Sequence, residues 1–202
     1  MADAWICDGD RFENPVVFWR VGEEFGGLSN MANDYPLLIA GVSVKSTEAL
    51  YQACRYPHQP DWQREILDAP HAMRAKMAAK KHGRREHSRE DWDEVRIAIM
   101  RWCLRLKLES HFGRMFNLLR RTGDRPIVER SRRDAFWGAV ADANGDLVGR
   151  NQLGRLLMEL RDEVVAWMAE PDDDAEWPAT RPPAIANARL LGRPMDGGDL
   201  AA

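Results

Sequence analysis

The stretch Lys45-Ser46-Thr47-Glu48-Ala49-Leu50-Tyr51-Gln52-Ala53-Cys54-Arg55 concentrates the residue types that can do chemistry. Read as a helix capped by Ser46 or Thr47 and ended before Pro57, it places Glu48, Gln52 and Arg55 on one face, with Leu50, Ala53 and Cys54 toward a core. A carboxylate, an amide and a guanidinium side by side can hold and polarise a polar substrate. On spacing alone the plainer expectation is a solvated face, because any surface helix shows such triplets.

Three loops carry further groups. Phe25-Gly26-Gly27-Leu28-Ser29-Asn30, Phe136-Trp137-Gly138 and Gly149-Arg150-Asn151-Gln152-Leu153-Gly154 each combine glycine with aromatic or amide side chains. Glycine lets a backbone approach a ligand closely, an aromatic face takes a base or ribose, and an amide reads polar edges. Taken singly, Trp137 reads as core and Asn151 as a helix cap. No segment matches a Walker loop, GxGxxG or HExxH. Cys7, Cys54 and Cys103 are scattered and odd in number, without metal-ligand spacing, so no metal site and no disulfide framework is expected. The five histidines show no catalytic pattern.

The elements that must position these groups are mostly helices. Val16 to Val21 has strand composition, Gly22 to Asn33 is a loop, and Leu37 to Val44 reads as a short hairpin about Gly41. Helices are expected over Trp62–Leu67, Ala72–Lys81, Asp91–Leu108, His111–Arg120 and Asn151–Met168. In the third of these, Trp92, Val95, Ile99, Cys103 and Leu106 recur at helical steps, leaving Arg96, Arg101, Arg105 and Lys107 on the other face. Ile127-Val128-Glu129 and Ala135 to Gly138 read as short strands or turns, and Asn144-Gly145 as a tight turn. The expected class is α+β, helix-rich, with few short strands.

The 202 residues suit one compact domain, and 45% apolar with 30% charged residues is an ordinary globular balance that excludes a disordered or collagen-like chain. No apolar run approaches the roughly 20 residues of a membrane span. Together with an N-terminus lacking a basic-then-apolar leader, this gives the expectation of a cytoplasmic protein. Net charge is −3, so the chain as a whole is not a basic nucleic-acid binder. Its middle is nonetheless basic: Arg74 to Lys107 holds eleven Lys/Arg against five acids, and Arg114 to Arg133 seven against two. That middle admits a phosphate-rich ligand. Residues 1–15 read as a lead-in, 16–170 as the domain, and 171–202, where five of eleven prolines gather with Asp172-Asp173-Asp174, as a mostly irregular tail.

The ordered set Gly-Leu-Ser-Asn, Ser-Thr-Glu-Ala-Leu-Tyr-Gln-Ala-Cys-Arg, Asp91-Trp92, Met100 to Lys107, Thr122-Gly123-Asp124, Trp137-Gly138 and Asn151-x-Leu-Gly-x-Leu-Leu-Met resembles the NADAR, or YbiA-like, family over about residues 16–168. The resemblance implies a single compact NADAR-like catalytic domain that hydrolyses N-glycosidic bonds to ribose. Some members act on early riboflavin intermediates, and others remove ADP-ribose from guanine in DNA. The former commonly carry Trp-Gly-Asp where this chain has Trp137-Gly138-Ala139. The Thr47 to Arg55 stretch, Ala75-Lys76-Met77 and Pro126-Ile127-Val128-Glu129 are similar to members paired with DarT-type DNA ADP-ribosyltransferase toxins. The implied function is therefore that of an ADP-ribosyl glycohydrolase, an antitoxin acting on ADP-ribosylated guanine in DNA, preferably single-stranded, or in nucleotide. The alternatives are an N-glycosidase of riboflavin intermediates and a non-catalytic module binding ADP-ribose or NAD.

For that chemistry Glu48 is the candidate to stabilise an oxocarbenium-like carbon or activate water, since a helix start favours the ionised carboxylate. Lys45 is the candidate nucleophile, able to form a Schiff base with the opened sugar. Gly27, Ser29, Asn30, Gln52, Arg55, Trp92, Trp137, Gly138, Asn151 and Gly154 are the candidate substrate contacts. In this reading Trp92 or Trp137 stacks on adenine, and no metal, cofactor or membrane takes part.

Overall fold

The computed structural model describes residues 11–39, 41–169 and 182–195. Cys7, Asp172-Asp173-Asp174 and Gly197-Gly198 lie outside them. The chain divides into two compact units: the described part of the first is 11–29 with 113–169, and of the second 30–39, 41–112 and 182–195.

The first unit is built on a mixed sheet. β1 (Val16–Phe18), β4 (Ile127–Ser131), β5 (Ala139–Ala141) and β6 (Leu147–Val148) lie in the order β1-β4-β5-β6. β1 and β5 both run parallel to β4, with Val16 beside Ile127 and Arg130 beside Ala139, while β6 closes antiparallel on β5. The β5–β6 turn is held by Asp142, whose Oδ1 accepts from the Asn144 and Asp146 backbone N–H groups, as the Asn-Gly signal requires. Helix α5 (Phe112–Arg121) precedes the sheet, and α6 (Gln152–Ala169) packs on β4 through the apolar row led by Leu153, Leu156, Leu157, Leu160 and Val164. The strand expected over Val16 to Val21 stops at Phe18, and the strand near Trp137 begins only at Ala139, with residues 135–138 forming the turn before it.

The second unit is helical around α1 (Thr47–Ala53), which is covered by α2 (Pro60–Leu67), α3 (Ala72–Ala79) and α4 (Trp92–Ser110) and fed by the hairpin β2 (Leu37–Ile39) and β3 (Val42–Val44). Pro60 opens α2 at a position that needs no amide donor. α4 departs from the simple two-faced reading. Lys107, expected on the solvated face, is fully buried, its ammonium 4.5 Å from the centre of the Tyr35 ring. The C-terminal half of α4 is enclosed almost all round, from Trp102 to Leu108 with Arg105 alone half-exposed, so its pattern is that of a core helix.

Of the tail expected to be mostly irregular, residues 182–195 are described. They carry a small hairpin, β7 (Arg189–Leu190) with β8 (Arg193–Pro194), and bury Leu190 and Met195. Gln63 of α2 fastens them. Its fully buried amide donates to the Ala53 and Arg189 carbonyls at 3.1 and 2.8 Å, and its oxygen accepts from the Leu191 N–H at 2.6 Å. Arg89 adds a hydrogen bond to the Ala186 carbonyl at 2.7 Å. Proline content and acidity are a poor guide here because three backbone groups of Ala53, Arg189 and Leu191 are satisfied by one distant side chain, a contact no local pattern encodes.

A Gln63→Leu variant leaves those backbone groups without their partner, at a cost of about 1–3 kcal/mol each where they stay dry. Thermal unfolding followed by circular dichroism is expected to show a melting temperature lower by roughly 5 °C or more. An unchanged midpoint would mean that the 182–195 segment contributes nothing to stability.

Candidate active site

All seven residues of α1 are buried, including Glu48 at 5% exposure and Gln52 at 4%. The solvated face that spacing alone favours is therefore absent. Ser46 caps the helix through Oγ, which accepts from the Ala49 N–H at 3.2 Å, and the Glu48 N–H donates to the Asn30 carbonyl at 3.1 Å. These two bonds lock the first turn of α1. Gln52 Nε2 donates to Glu48 Oε1 at 3.0 Å across one helical turn. The same oxygen lies 3.6 Å from Lys76 Nζ of α3, so the buried carboxylate is matched by an ammonium that is itself about one-third exposed.

Lys45 is exposed, and among the described residues no ion pair joins it to Glu48. The amine beside the carboxylate belongs to Lys76. It sits four residues from Lys80 on α3 and its C-cap, a spacing that puts both on one face and was the available sequence signal for a paired-lysine edge. Lys80 is exposed, yet its ammonium is held below the ordinary lysine range by partial burial first and then by the positive charge of Lys76, with Arg55 and Arg85 adding to the effect and Glu48 opposing it. Lys76 is thus the cation placed against Glu48, and Lys80 is the ammonium on which Lys76, Arg55, Arg85 and Glu48 all act.

Three further buried acceptors belong to Thr47 and Gln52 of α1 and to Asn30, whose backbone carbonyl takes the Glu48 N–H. Asn30 Oδ1, Thr47 Oγ1 and Gln52 Oε1 have no hydrogen-bond partner among the described residues. A packed core avoids such atoms, since each costs about 1–3 kcal/mol when left unpaired. Hydroxyl or amide N–H donors of a ligand are the complement of this set.

Arg55 and Trp92 come together as expected, but in a different role. Arg55 Nε donates to Ser88 Oγ at 2.8 Å, and its guanidinium lies 4.9 Å from the centre of the Trp92 ring. Tyr51 meets Trp92 at 5.0 Å. With Arg55 and Tyr51 against its ring and its surface buried, Trp92 is packing rather than the adenine platform the sequence suggested. Burial first and Glu48 second keep the Tyr51 phenol well above its ordinary value, so it stays neutral. Burial pushes the Cys54 thiol up to about 12 and the Cys103 thiol well above its ordinary value, which leaves neither as a thiolate nucleophile at neutral pH. Among the described residues no group of three or more His, Cys, Asp or Glu could hold a metal ion.

The remaining candidates lie in the first unit, where Asn151, Gly154 and Gly138 are engaged with the backbone of β4. Asn151 adopts a left-handed backbone, φ +46°, and spends its amide on β4: Oδ1 accepts from the Glu129 N–H at 3.0 Å and Nδ2 donates to the Ile127 carbonyl at 2.7 Å. A Cβ at Gly154 would overlap the Ile127 carbonyl oxygen and the Asn151 amide, and one at Gly138 the Glu129 carbonyl oxygen. These residues set the fit of α6 and β5 to β4. Trp137 is half-buried, edge-on to Phe136 at 5.1 Å, with its backbone N–H on Asp134 Oδ1. Gly27 sits in a short 3-10 turn, Gly26–Leu28, and Ser29 is buried at its end.

Residues 17–165 match the NADAR domain. The chain belongs to the NADAR family. Among relatives of this NADAR chain, the riboflavin biosynthesis protein VVA0006 of Vibrio vulnificus is 34% identical over 154 residues, 75% of this chain but only 39% of that protein. The N-glycosidase YbiA of Escherichia coli is 31% identical over 149 residues, covering 74% of this chain and 88% of YbiA. An N-glycosidase of Nostoc punctiforme is 31% identical over 151 residues, covering 74% and 92%. The solved structure of E. coli YbiA superimposes with a TM-score of 0.67 at 26% identity, covering 87% of this chain and 99% of that one. The α+β class expected from sequence is the YbiA-like fold. Among the described residues, no helix is long and apolar enough to cross a membrane.

If Asn151 and Gly154 are scaffold, Asn151→Ala and Gly154→Ala are each expected to lower the melting temperature by roughly 5 °C or more, through unpaired β4 groups in one and overlap in the other. Two stable variants with weakened ligand affinity would instead make both residues substrate contacts.

Proposed function

We propose that this NADAR chain hydrolyses an N-glycosidic bond to ribose, and that its substrate is ADP-ribose linked to guanine in DNA or nucleotide. The observation that carries the reading is Glu48, a buried carboxylate bonded to Gln52 and paired with Lys76. Breaking the bond sends its electron pair to the base nitrogen, which takes up a proton, and leaves positive charge on the ribose carbon. A fixed anion in low dielectric stabilises that charge far better than water does. Asn30, Thr47 and Gln52 oxygens suit the ribose hydroxyls, and Lys76, Lys80, Arg55 and Arg85 suit the two phosphates.

Lys76 takes over the chemical role first considered for Lys45. Its Nζ gives up a proton, relayed through Glu48 to the leaving base nitrogen, and bonds to the ribose carbon as the C–N bond breaks, so Glu48 ends the step ionised. The sugar ring then opens to a Schiff base, and water releases the sugar and restores the amine. Glu48 activating water directly is the simpler variant of the same site. One relative is named a riboflavin biosynthesis protein and another an N-glycosidase, which supports a second reading, cleavage of a riboflavin intermediate. Against it stands Ala139, fully buried in β5 where members of that type commonly carry an acid. A pairing with a DarT-type toxin follows from the first reading and predicts that co-expression relieves the toxin's growth arrest.

Guanine-ADP-ribosylated oligonucleotide, the riboflavin intermediate and ADP-ribose alone are to be incubated with the protein and the products weighed by mass spectrometry. The expected result is free ADP-ribose and unmodified oligonucleotide. Turnover of the riboflavin intermediate alone would install the second reading, and ADP-ribose binding with no turnover at all would make the chain a binding module. Borohydride added during turnover is expected to trap sugar on Lys76, with the adduct retained in Lys45→Ala and lost in Lys76→Ala. A trapped adduct on Lys45 would overturn the assignment of the amine, and full activity in Lys76→Ala would leave water as the nucleophile.

A further inference from the structure

Three guanidinium groups converge on one indole in the first unit. Arg20 and Arg130 stand 4.8 Å from the centre of the Trp19 ring and Arg132 stands 5.7 Å from it. The strand pattern explains the meeting. Trp19 follows β1, which runs beside β4 with Phe18 next to Glu129, so Arg130 near the end of β4 and Arg132 just past it fall close to the indole. All three arginines are exposed.

What distinguishes this cluster is its lack of neutralising charge. Three other arginines that lie over rings are also bound to protein acceptors. Arg84 over Trp62 pairs with Glu65, Arg121 over Phe25 pairs with Glu24, and Arg55 over Trp92 bonds Ser88. Among the described residues no carboxylate pairs with the side chain of Arg20, Arg130 or Arg132. Gathering three like charges on one ring is unfavourable unless something anionic joins them. A guanidinium that stacks by its face keeps its N–H edge free, and that edge is the part that fits phosphate oxygens.

We infer that Trp19 with Arg20, Arg130 and Arg132 forms a docking face for the sugar-phosphate backbone of a single nucleic-acid strand. An aromatic platform set in unpaired arginines is the composition that holds single strands without reading their sequence. The net charge of −3 does not oppose this, because the potential that a strand meets is local. The inference rests on the reading that the substrate is carried by DNA.

The test uses the full chain and an unmodified, fluorescein-labelled single-stranded DNA, so that binding is separated from hydrolysis. The combined variant Arg20→Gln, Arg130→Gln, Arg132→Gln is compared with Arg64→Gln, Arg74→Gln, Arg193→Gln, which removes equal charge from three exposed arginines that touch no ring. Fluorescence anisotropy across a salt series is expected to show roughly tenfold or greater loss for the first variant and a fall of about 2 in its log–log salt slope, against a small change for the second. Equal loss in both variants, loss in neither, or no binding by the wild type would overturn the inference. So would patch-dependent binding to phosphatidylserine vesicles without binding to DNA. Patch-dependent binding of DNA by a protein that leaves the guanine adduct intact would uphold the docking face and overturn only the proposed reaction.

Discussion

The constraint on which the second unit depends is a carboxylate in its interior. Burying Glu48 is costly unless its charge is met, and the fold meets it twice, with the Gln52 amide from its own helix and with the Lys76 ammonium from α3. Everything around α1 serves that placement. Ser46 and the Asn30 carbonyl fix the helix start, while α2, α3 and α4 cover the helix. A stability-driven design would put an apolar residue here. Retaining an ion pair, together with unpaired oxygens on Asn30, Thr47 and Gln52, supports the proposed reading, in which substrate completes the site.

The first unit solves a different problem, the fit of a helix to a short mixed sheet. Asn151 ties α6 to the backbone of β4, and Gly154 allows the approach. Arg161, also buried, binds Thr122 Oγ1 and the Arg125 carbonyl at 3.0 and 2.9 Å and so anchors the loop that leads into β4. Residues that looked like ligand contacts because glycine, amide and aromatic groups clustered there are in large part what allows the sheet and helix to pack closely.

Much of this was legible beforehand, for reasons that can be stated. The helices and the Leu37 to Val44 hairpin follow from local periodicity and turn chemistry, and their ends fall within a few residues of the expected ones. Residue type singles out Glu48 as a candidate, whereas spacing alone argues for solvent and the structure buries it. What sequence did not reveal is tertiary. Whether Glu48 is buried depends on α2, α3 and α4. Lys76 becomes its partner only when α3 folds against α1. Lys107 is drawn inside by Tyr35, and the 182–195 segment is recruited by Gln63. Each is a contact between residues far apart in the chain, outside the reach of propensity or pattern.

The central claim is that the negative charge of Glu48, and not merely its shape, drives cleavage. The direct measurement is the single-turnover rate of Glu48→Gln on a guanine-ADP-ribosylated oligonucleotide, set beside calorimetric affinity for ADP-ribose. Glutamine keeps the size and a hydrogen-bonding oxygen while losing the charge, so the rate is expected to fall by roughly a hundredfold or more with affinity nearly unchanged. A variant that cleaves at a rate close to that of the wild type would contradict the account.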